Sequence, residues 1–109
     1  MLEAIVGNSS AEKVLLFMTA RKSGYALEIA KTFDTQVTPI KNQLERMERE
    51  GLFVVENVGR TKVYTFNPRF QFLEEVTSLG EKALSFLPDP LRDTLIFNRR
   101  RPRREGKPL

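Results

Sequence analysis

The chain has 109 residues, 40% of them hydrophobic and 29% charged, which is enough for one small domain with a modest core. It contains no cysteine and no histidine, which excludes disulfides, thiolate and imidazole metal ligands, and catalysis by either side chain. The formal net charge is +4, but residues 1–98 carry 12 basic and 13 acidic side chains, so the positive excess lies in residues 99–109.

The sequence also lacks the patterns of an enzyme and of a membrane protein. It has no glycine-rich phosphate loop, no paired carboxylates in a catalytic setting and no nucleophile beside a base, so we expect neither catalysis nor a cofactor. No apolar run approaches the roughly 20 residues that span a bilayer, and the N-terminus has no signal-peptide pattern. We therefore expect a cytoplasmic protein without membrane contact.

Two short helices are predicted first. Ser9 and Glu12 have the spacing of a capping box, which predicts a helix over about 10–20 with Ser9 as its N-cap. After a polar loop over 21–24, apolar residues at helical spacing predict a second helix over 25–33.

A third helix is predicted over 36–50, with a single narrow apolar stripe. The stripe residues are spaced by three, four and three positions and should face the core; they are Val37, Ile40, Leu44 and Met47. Gly51 then ends the helix. The residues expected to face outward are Gln36, Thr38, Lys41, Asn42 and Arg46.

The next segments predict a β-hairpin and a long helix. β-branched and aromatic residues predict strands over 52–58 and 62–66, with residues 59–61 at the tip. A long helix over 69–87 follows, and a short helix over 90–97 completes the predicted elements.

The long helix carries apolar residues at heptad spacing, which are Phe72, Val76, Leu79, Ala83 and Phe86. This stripe can fold back on the rest of the chain as core, or it can pair with a second copy. Because it is more apolar surface than a domain of this size readily hides, we expect it to form the interface of a homodimer.

Three segments carry a resemblance to a known family. They read YALEIAK at 25–31, IKNQLERMEREGL at 40–52 and GRTKVY at 59–64. Together they resemble the winged helix-turn-helix repressors, most closely the ArsR-like regulators of bacteria and archaea. The metal-sensing members of that family use cysteine or histidine ligands, which this chain lacks, so we expect no metal site.

The resemblance and the predicted elements together indicate an α+β, mainly helical fold with three parts. These are a winged helix-turn-helix DNA-binding domain over 1–67, dimerisation helices over 68–98 and a disordered basic tail over 99–109.

The third helix has the side chains of a major-groove reader. Gln and Asn can pair with adenine, Lys with guanine or a phosphate, and Thr with a base edge or a phosphate. Glu45, Glu48 and Glu50 oppose DNA binding, so we expect them to point away from the DNA or to pair with Arg46 and Arg49.

Further contacts to double-stranded DNA are expected outside this helix. The hairpin residues Arg60, Thr61 and Lys62 would reach phosphates or the minor groove. Ser23 and Tyr25, at the start of the second helix, could hold a phosphate, although Tyr25 fits equally well as an aromatic at the edge of the core.

The basic tail can be understood in three ways. Its arginines are Arg99, Arg100, Arg101, Arg103 and Arg104. The Arg-Pro-Arg sequence loosely resembles an AT-hook, the charge fits a nonspecific electrostatic arm, and the composition also fits a solubilising end without another role. We expect an arm that raises affinity by counterion release.

The sequence therefore predicts a sequence-specific DNA-binding transcriptional regulator, a homodimeric repressor that acts by blocking polymerase. Any small-molecule effector would bind at the dimer interface. The alternative is a winged-helix adaptor that binds proteins and owes its nucleic-acid affinity to the tail alone. The near-neutral body favours the adaptor, whereas Lys41, Asn42 and Arg46 favour DNA.

Overall fold

The computed structural model describes residues 1–97, so the arginines of the predicted tail lie outside the described residues. The fold is α+β and mainly helical, as predicted. Its elements are α1 (Glu3–Val6), α2 (Ser9–Arg21), β1 (Ser23–Gly24), α3 (Ala26–Thr32), α4 (Val37–Arg49), β2 (Phe53–Val58), β3 (Thr61–Phe66), α5 (Leu73–Leu84) and α6 (Asp89–Phe97).

Helix α2 is the centre of the core. Its segment 14–20 is apolar except for Thr19, and every residue of that segment is buried, because α3, α4, α5, α6 and β1 all pack against this helix. The Thr19 hydroxyl donates a hydrogen bond to the Leu15 carbonyl at 2.7 Å, which satisfies the one polar side chain of the segment.

The predicted capping box of the first helix is wrong. Asn8 is the N-cap of α2, and its side-chain oxygen accepts a hydrogen bond from the backbone N–H of Ala11 at 2.7 Å. Glu12 instead accepts a hydrogen bond from the backbone N–H of Leu2 at 2.6 Å. The sequence did not predict the short helix α1. This helix packs against α2 and brings the backbone N–H of Leu2 within hydrogen-bond distance of the Glu12 carboxylate.

The three strands form an antiparallel sheet in the order β1-β3-β2. The hairpin prediction is confirmed, with Val58 opposite Thr61 and a two-residue turn at Gly59 and Arg60. Gly59 has a φ of +63°, a left-handed conformation that glycine adopts without strain. The two-residue strand β1, predicted as loop, pairs with β3 and fixes the start of α3 against the hairpin.

Helix α5 is shorter than predicted, because the chain over 67–72 forms turns. The Asn67 side-chain oxygen accepts a hydrogen bond from the backbone N–H of Arg69 at 3.0 Å, and its amide donates to the Gly51 carbonyl at 2.9 Å. Phe72 is therefore the N-cap of α5, and Phe86 lies beyond its C-terminal end.

The predicted heptad seam is consequently not one continuous free surface. Ala83 is 2% exposed in the core of its own chain, and Val76 and Leu79 pack partly buried against the same core. Phe72 and Phe86 remain 57% and 67% exposed. The stripe folds back because α5 packs against the apolar helix α2.

Arg21 joins α2 to the C-terminal end of α6. Its guanidinium donates hydrogen bonds to the carbonyls of Thr94 at 3.0 Å and Leu95 at 3.4 Å, and it lies 4.9 Å from the centre of the Phe17 ring. Arg21 thus donates hydrogen bonds to two carbonyls in the last turn of α6, where carbonyl groups have no partner within the helix. Among residues 1–97, no helix has the length and apolarity required to cross a membrane.

Helices α2 and α5 lie close together at Gly80. A Cβ atom placed there would clash with the hydroxyl oxygen of Thr19, and it would lie 2.9 Å from Cβ and 3.0 Å from Cγ2 of the same side chain. Gly80→Ala should therefore lower the melting temperature, because overpacking costs about 1–3 kcal/mol and outweighs the roughly 1 kcal/mol helix gain of alanine. Thermal unfolding followed by circular dichroism measures it.

The matched control is Ser78→Ala, an exposed position of the same helix, which should leave the melting temperature nearly unchanged. Adding Thr19→Ala to Gly80→Ala should restore part of the loss, since it removes two of the clashing atoms. A Gly80→Ala protein as stable as the wild type would contradict the close packing of α2 on α5.

Candidate nucleic-acid interface

Helices α3 and α4 are joined by a tight turn over 33–36. Asp34 takes a φ of +54°, and the backbone N–H of Thr35 donates to the Ala30 carbonyl at 2.9 Å. The turn fixes α4 relative to α3, and Ile40, Leu44 and Met47 anchor α4 on the core, as predicted.

The prediction that Val37 faces the core is wrong. Val37 is 39% exposed, because it belongs to the first turn of α4 and Ile40 is the first residue of the stripe that the core covers. It lies near two other exposed apolar side chains, Tyr25 at 38% and Leu27 at 50%.

These exposed residues belong to a groove of about 380 Å³ between the start of α3, helix α4 and the hairpin. Its lining residues are Tyr25, Ala26, Leu27, Val37, Lys41, Glu45, Arg60, Thr61, Lys62 and Tyr64. The structure thus brings together half of the residues predicted to bind DNA, which are Tyr25, Lys41, Arg60, Thr61 and Lys62.

The other predicted contacts lie around this groove. Gln36 lines an adjacent depression of about 510 Å³ with Lys31 and Asp34. Thr38 and Asn42 are exposed on α4, and Ser23 is exposed on β1, where its backbone pairs with Thr65.

Arg46 does not join Lys41, contrary to the prediction that both face outward. Its guanidinium donates hydrogen bonds to the Gln43 side-chain oxygen at 2.7 and 2.9 Å and to the Val6 carbonyl at 3.5 Å. Five residues along a helix rotate a side chain by about 140°, which carries Arg46 away from Lys41 and toward the Val6 carbonyl at the end of α1.

Glu45 lies in the groove, although it was expected to point away from the DNA or to pair with Arg46 and Arg49. Within residues 1–97 its carboxylate forms no ion pair and no hydrogen bond, and the expected partner Arg46 is bound to Gln43 instead. The signal was present in the sequence, because Val37, Lys41 and Glu45 are spaced by four residues and form one row along α4.

Tyr64 forms the buried wall of the groove. Tyr64 is 4% exposed. Burial is the main cause that raises the pKa of its phenol, and the negative charges of Glu45 and Glu48 raise this pKa further. The phenol is therefore protonated at neutral pH and can donate a hydrogen bond. Phe53 packs edge-to-face against Tyr64 and Phe66 at ring distances of 6.4 and 5.4 Å, which ties the base of the hairpin to the core.

The comparisons with known proteins add no relative. No protein-family model, no curated protein and no solved structure gives a significant match to this chain. In the part of the chain that the structure describes, no group of three or more acidic side chains is placed to hold a metal ion.

The start of α3 contains a half-buried carboxylate with a shifted pKa. Burial raises the pKa of Glu28 above its ordinary value of 4.5, and this outweighs the hydrogen bond from the backbone N–H of Tyr25 and the charge of Arg21, whose guanidinium lies 3.8 Å away. Folding therefore favours the protonated acid. The associated stability is fully present below the ordinary pKa and is lost as the pH rises through the raised pKa.

The melting temperature of Glu28→Gln should rise relative to that of the wild type as the pH increases from the ordinary carboxyl pKa of 4.5 through the raised pKa of Glu28. Glutamine imitates the protonated acid at every pH, whereas the wild type must ionise a half-buried group. Thermal unfolding across a pH series measures the difference. Glu56→Gln, at an exposed position of the hairpin, is the matched control and should show a flatter difference. An advantage of Glu28→Gln that shrinks toward neutral pH would contradict the burial of this carboxylate.

Proposed function

We propose that the chain is a winged helix-turn-helix protein that binds double-stranded DNA as a sequence-specific transcriptional regulator. In this proposal α3 and α4 are the helix-turn-helix, α4 enters the major groove, and the β2–β3 hairpin is the wing. The observation that supports this proposal is the groove that Lys41 of α4 lines together with Arg60 and Lys62 of the hairpin.

The charges of the groove suit a division of contacts. Arg60 and Lys62 are exposed near the tip of the hairpin, where they can reach the phosphate backbone. Lys41 and Asn42 are exposed on α4, which rests on the core through its opposite face, so both side chains are free to meet base edges.

A homodimer is part of the proposal. Phe72 and Phe86 are the most exposed aromatic side chains near α5, and Phe72 packs edge-to-face on Phe70 at 5.9 Å. A second copy would cover both rings together with the outer sides of Val76 and Leu79, and it would place two α4 helices on successive turns of DNA. Repression would follow from competition with polymerase for the bound site, in the cytoplasm.

A protein-binding adaptor is the second candidate function. The specific observation in its favour is that Tyr25, Leu27 and Val37 give the same groove an apolar side, with the carboxylate of Glu45 among its charges. Apolar side chains at the centre and charged ones at the rim are also the pattern of a protein interface. The next two experiments separate the candidates.

The first experiment is selection from a pool of random-sequence DNA duplexes, followed by binding anisotropy across a salt series. We expect an enriched palindromic site and a log–log salt slope of magnitude about 6–10. Lys41→Ala/Asn42→Ala should reduce affinity for that site at least about ten-fold without changing the melting temperature. Lys82→Ala removes an exposed charge from α5 and should change little.

Absence of an enriched site would favour the adaptor. Unchanged affinity of the Lys41→Ala/Asn42→Ala protein for an enriched site would contradict the placement of α4 in the major groove.

The second experiment tests the tail as a nonspecific arm. Replacing Arg99, Arg100, Arg101, Arg103 and Arg104 with glutamine in the full chain should weaken binding to every duplex. The salt slope should fall by about 0.9 for each lost phosphate contact, while the ratio between specific and random sites is preserved. Loss of the site preference would assign base reading to the tail, and loss of all binding would favour the adaptor.

A further inference from the structure

Glu45 is the charged residue of the groove that phosphate binding does not explain. A carboxylate repels phosphate oxygens, and Glu45 lies in the same groove as Lys41, Arg60 and Lys62. Within residues 1–97 it is not neutralised by any ion pair or hydrogen bond. The proposed interface therefore contains a free hydrogen-bond acceptor beside a free donor.

The chemistry of base edges decides what such an acceptor can bind. An ionised carboxylate only accepts hydrogen bonds. In the major groove guanine shows two acceptors, thymine shows an acceptor and a methyl group, and adenine shows a donor next to an acceptor. Cytosine shows a donor and no acceptor, so it is the one base that a carboxylate meets without repulsion.

The position of Glu45 on α4 fits this use. It follows Lys41 by one helical turn, a rise of about 6 Å, so the two side chains can address neighbouring base pairs. The Lys41 ammonium carries three donors and no acceptor, which matches the two acceptors of guanine. Tyr64 is buried and lines the groove together with Lys41 and Glu45, so its ring closes the side of the groove that faces the core.

We propose that Glu45 determines specificity by accepting a hydrogen bond from the exocyclic amino group of cytosine at one position of each half-site, while Lys41 binds guanine. This inference rests on the proposed function, because it requires α4 in the major groove. Repulsion between Glu45 and phosphate also disfavours any placement of DNA that brings its phosphate backbone to the centre of the groove.

The test compares base preferences of full-length variants by selection from random duplexes, followed by affinities for sites with each base pair at the affected position. The wild type should prefer cytosine there by about ten-fold. Glu45→Ala should flatten that preference. Glu45→Gln should move it toward adenine, because the glutamine amide matches the donor and acceptor of that base.

Glu48→Ala is the matched control, since it removes the same charge from the same helix at a position that does not line the groove. It should raise affinity for all duplexes slightly and keep the cytosine preference. Circular dichroism and melting temperature establish that each variant is folded.

Each outcome decides a different statement. A specific site whose base preference is the same in Glu45→Ala, Glu45→Gln and the wild type overturns this inference and leaves the proposed function intact. A folded wild type that enriches no site overturns both. A shift toward adenine in Glu45→Gln alone supports the assignment, because a purely electrostatic or structural role would not redirect the base preference.

Discussion

The burial of α2 is the constraint on which the rest of the structure depends. Residues 14–20 of α2 are all buried and cannot be covered by one neighbour, so α4, α5 and α6 all pack against this helix. The packing of α5 against α2 buries Ala83 and Leu84. Part of the apolar stripe of α5 is therefore not available to a partner. The burial of α2 also leaves α4 anchored by one face only, with its charged face outside.

The groove exists because the hairpin is fixed at its base and free at its tip. Phe53, Tyr64 and Phe66 hold the base of the hairpin through ring packing, whereas every residue of β2 after Phe53 is exposed. Strand β1 ties the start of α3 to the same hairpin through the pairing of Gly24 with Tyr64. Three separate parts of the chain therefore keep a fixed geometry around Lys41.

The charge distribution explains how a near-neutral body could still recognise a nucleic acid in the proposed function. Residues 1–98 carry one acidic side chain more than basic ones, so long-range attraction would come from the tail. Residues 1–98 would then provide the shape of the interface and the hydrogen bonds to base edges. A free carboxylate of Glu45 beside Lys41 would add an acceptor to these contacts. Affinity and specificity would thus depend on different parts of the same chain.

The sequence by itself determined the order of α2, α3, α4, the hairpin, α5 and α6, and the burial of Ile40, Leu44 and Met47, because these follow from local periodicity, proline and glycine. Only the tertiary structure decided the partner of the Glu12 carboxylate, the length of α5 and the contact of Arg46 with the end of α1. Each of these depends on a neighbour distant in sequence, such as Leu2 beside Glu12 or the Val6 carbonyl beside Arg46. Local pattern cannot encode such contacts, because packing assigns each polar group the partner that lies within reach after the core has formed.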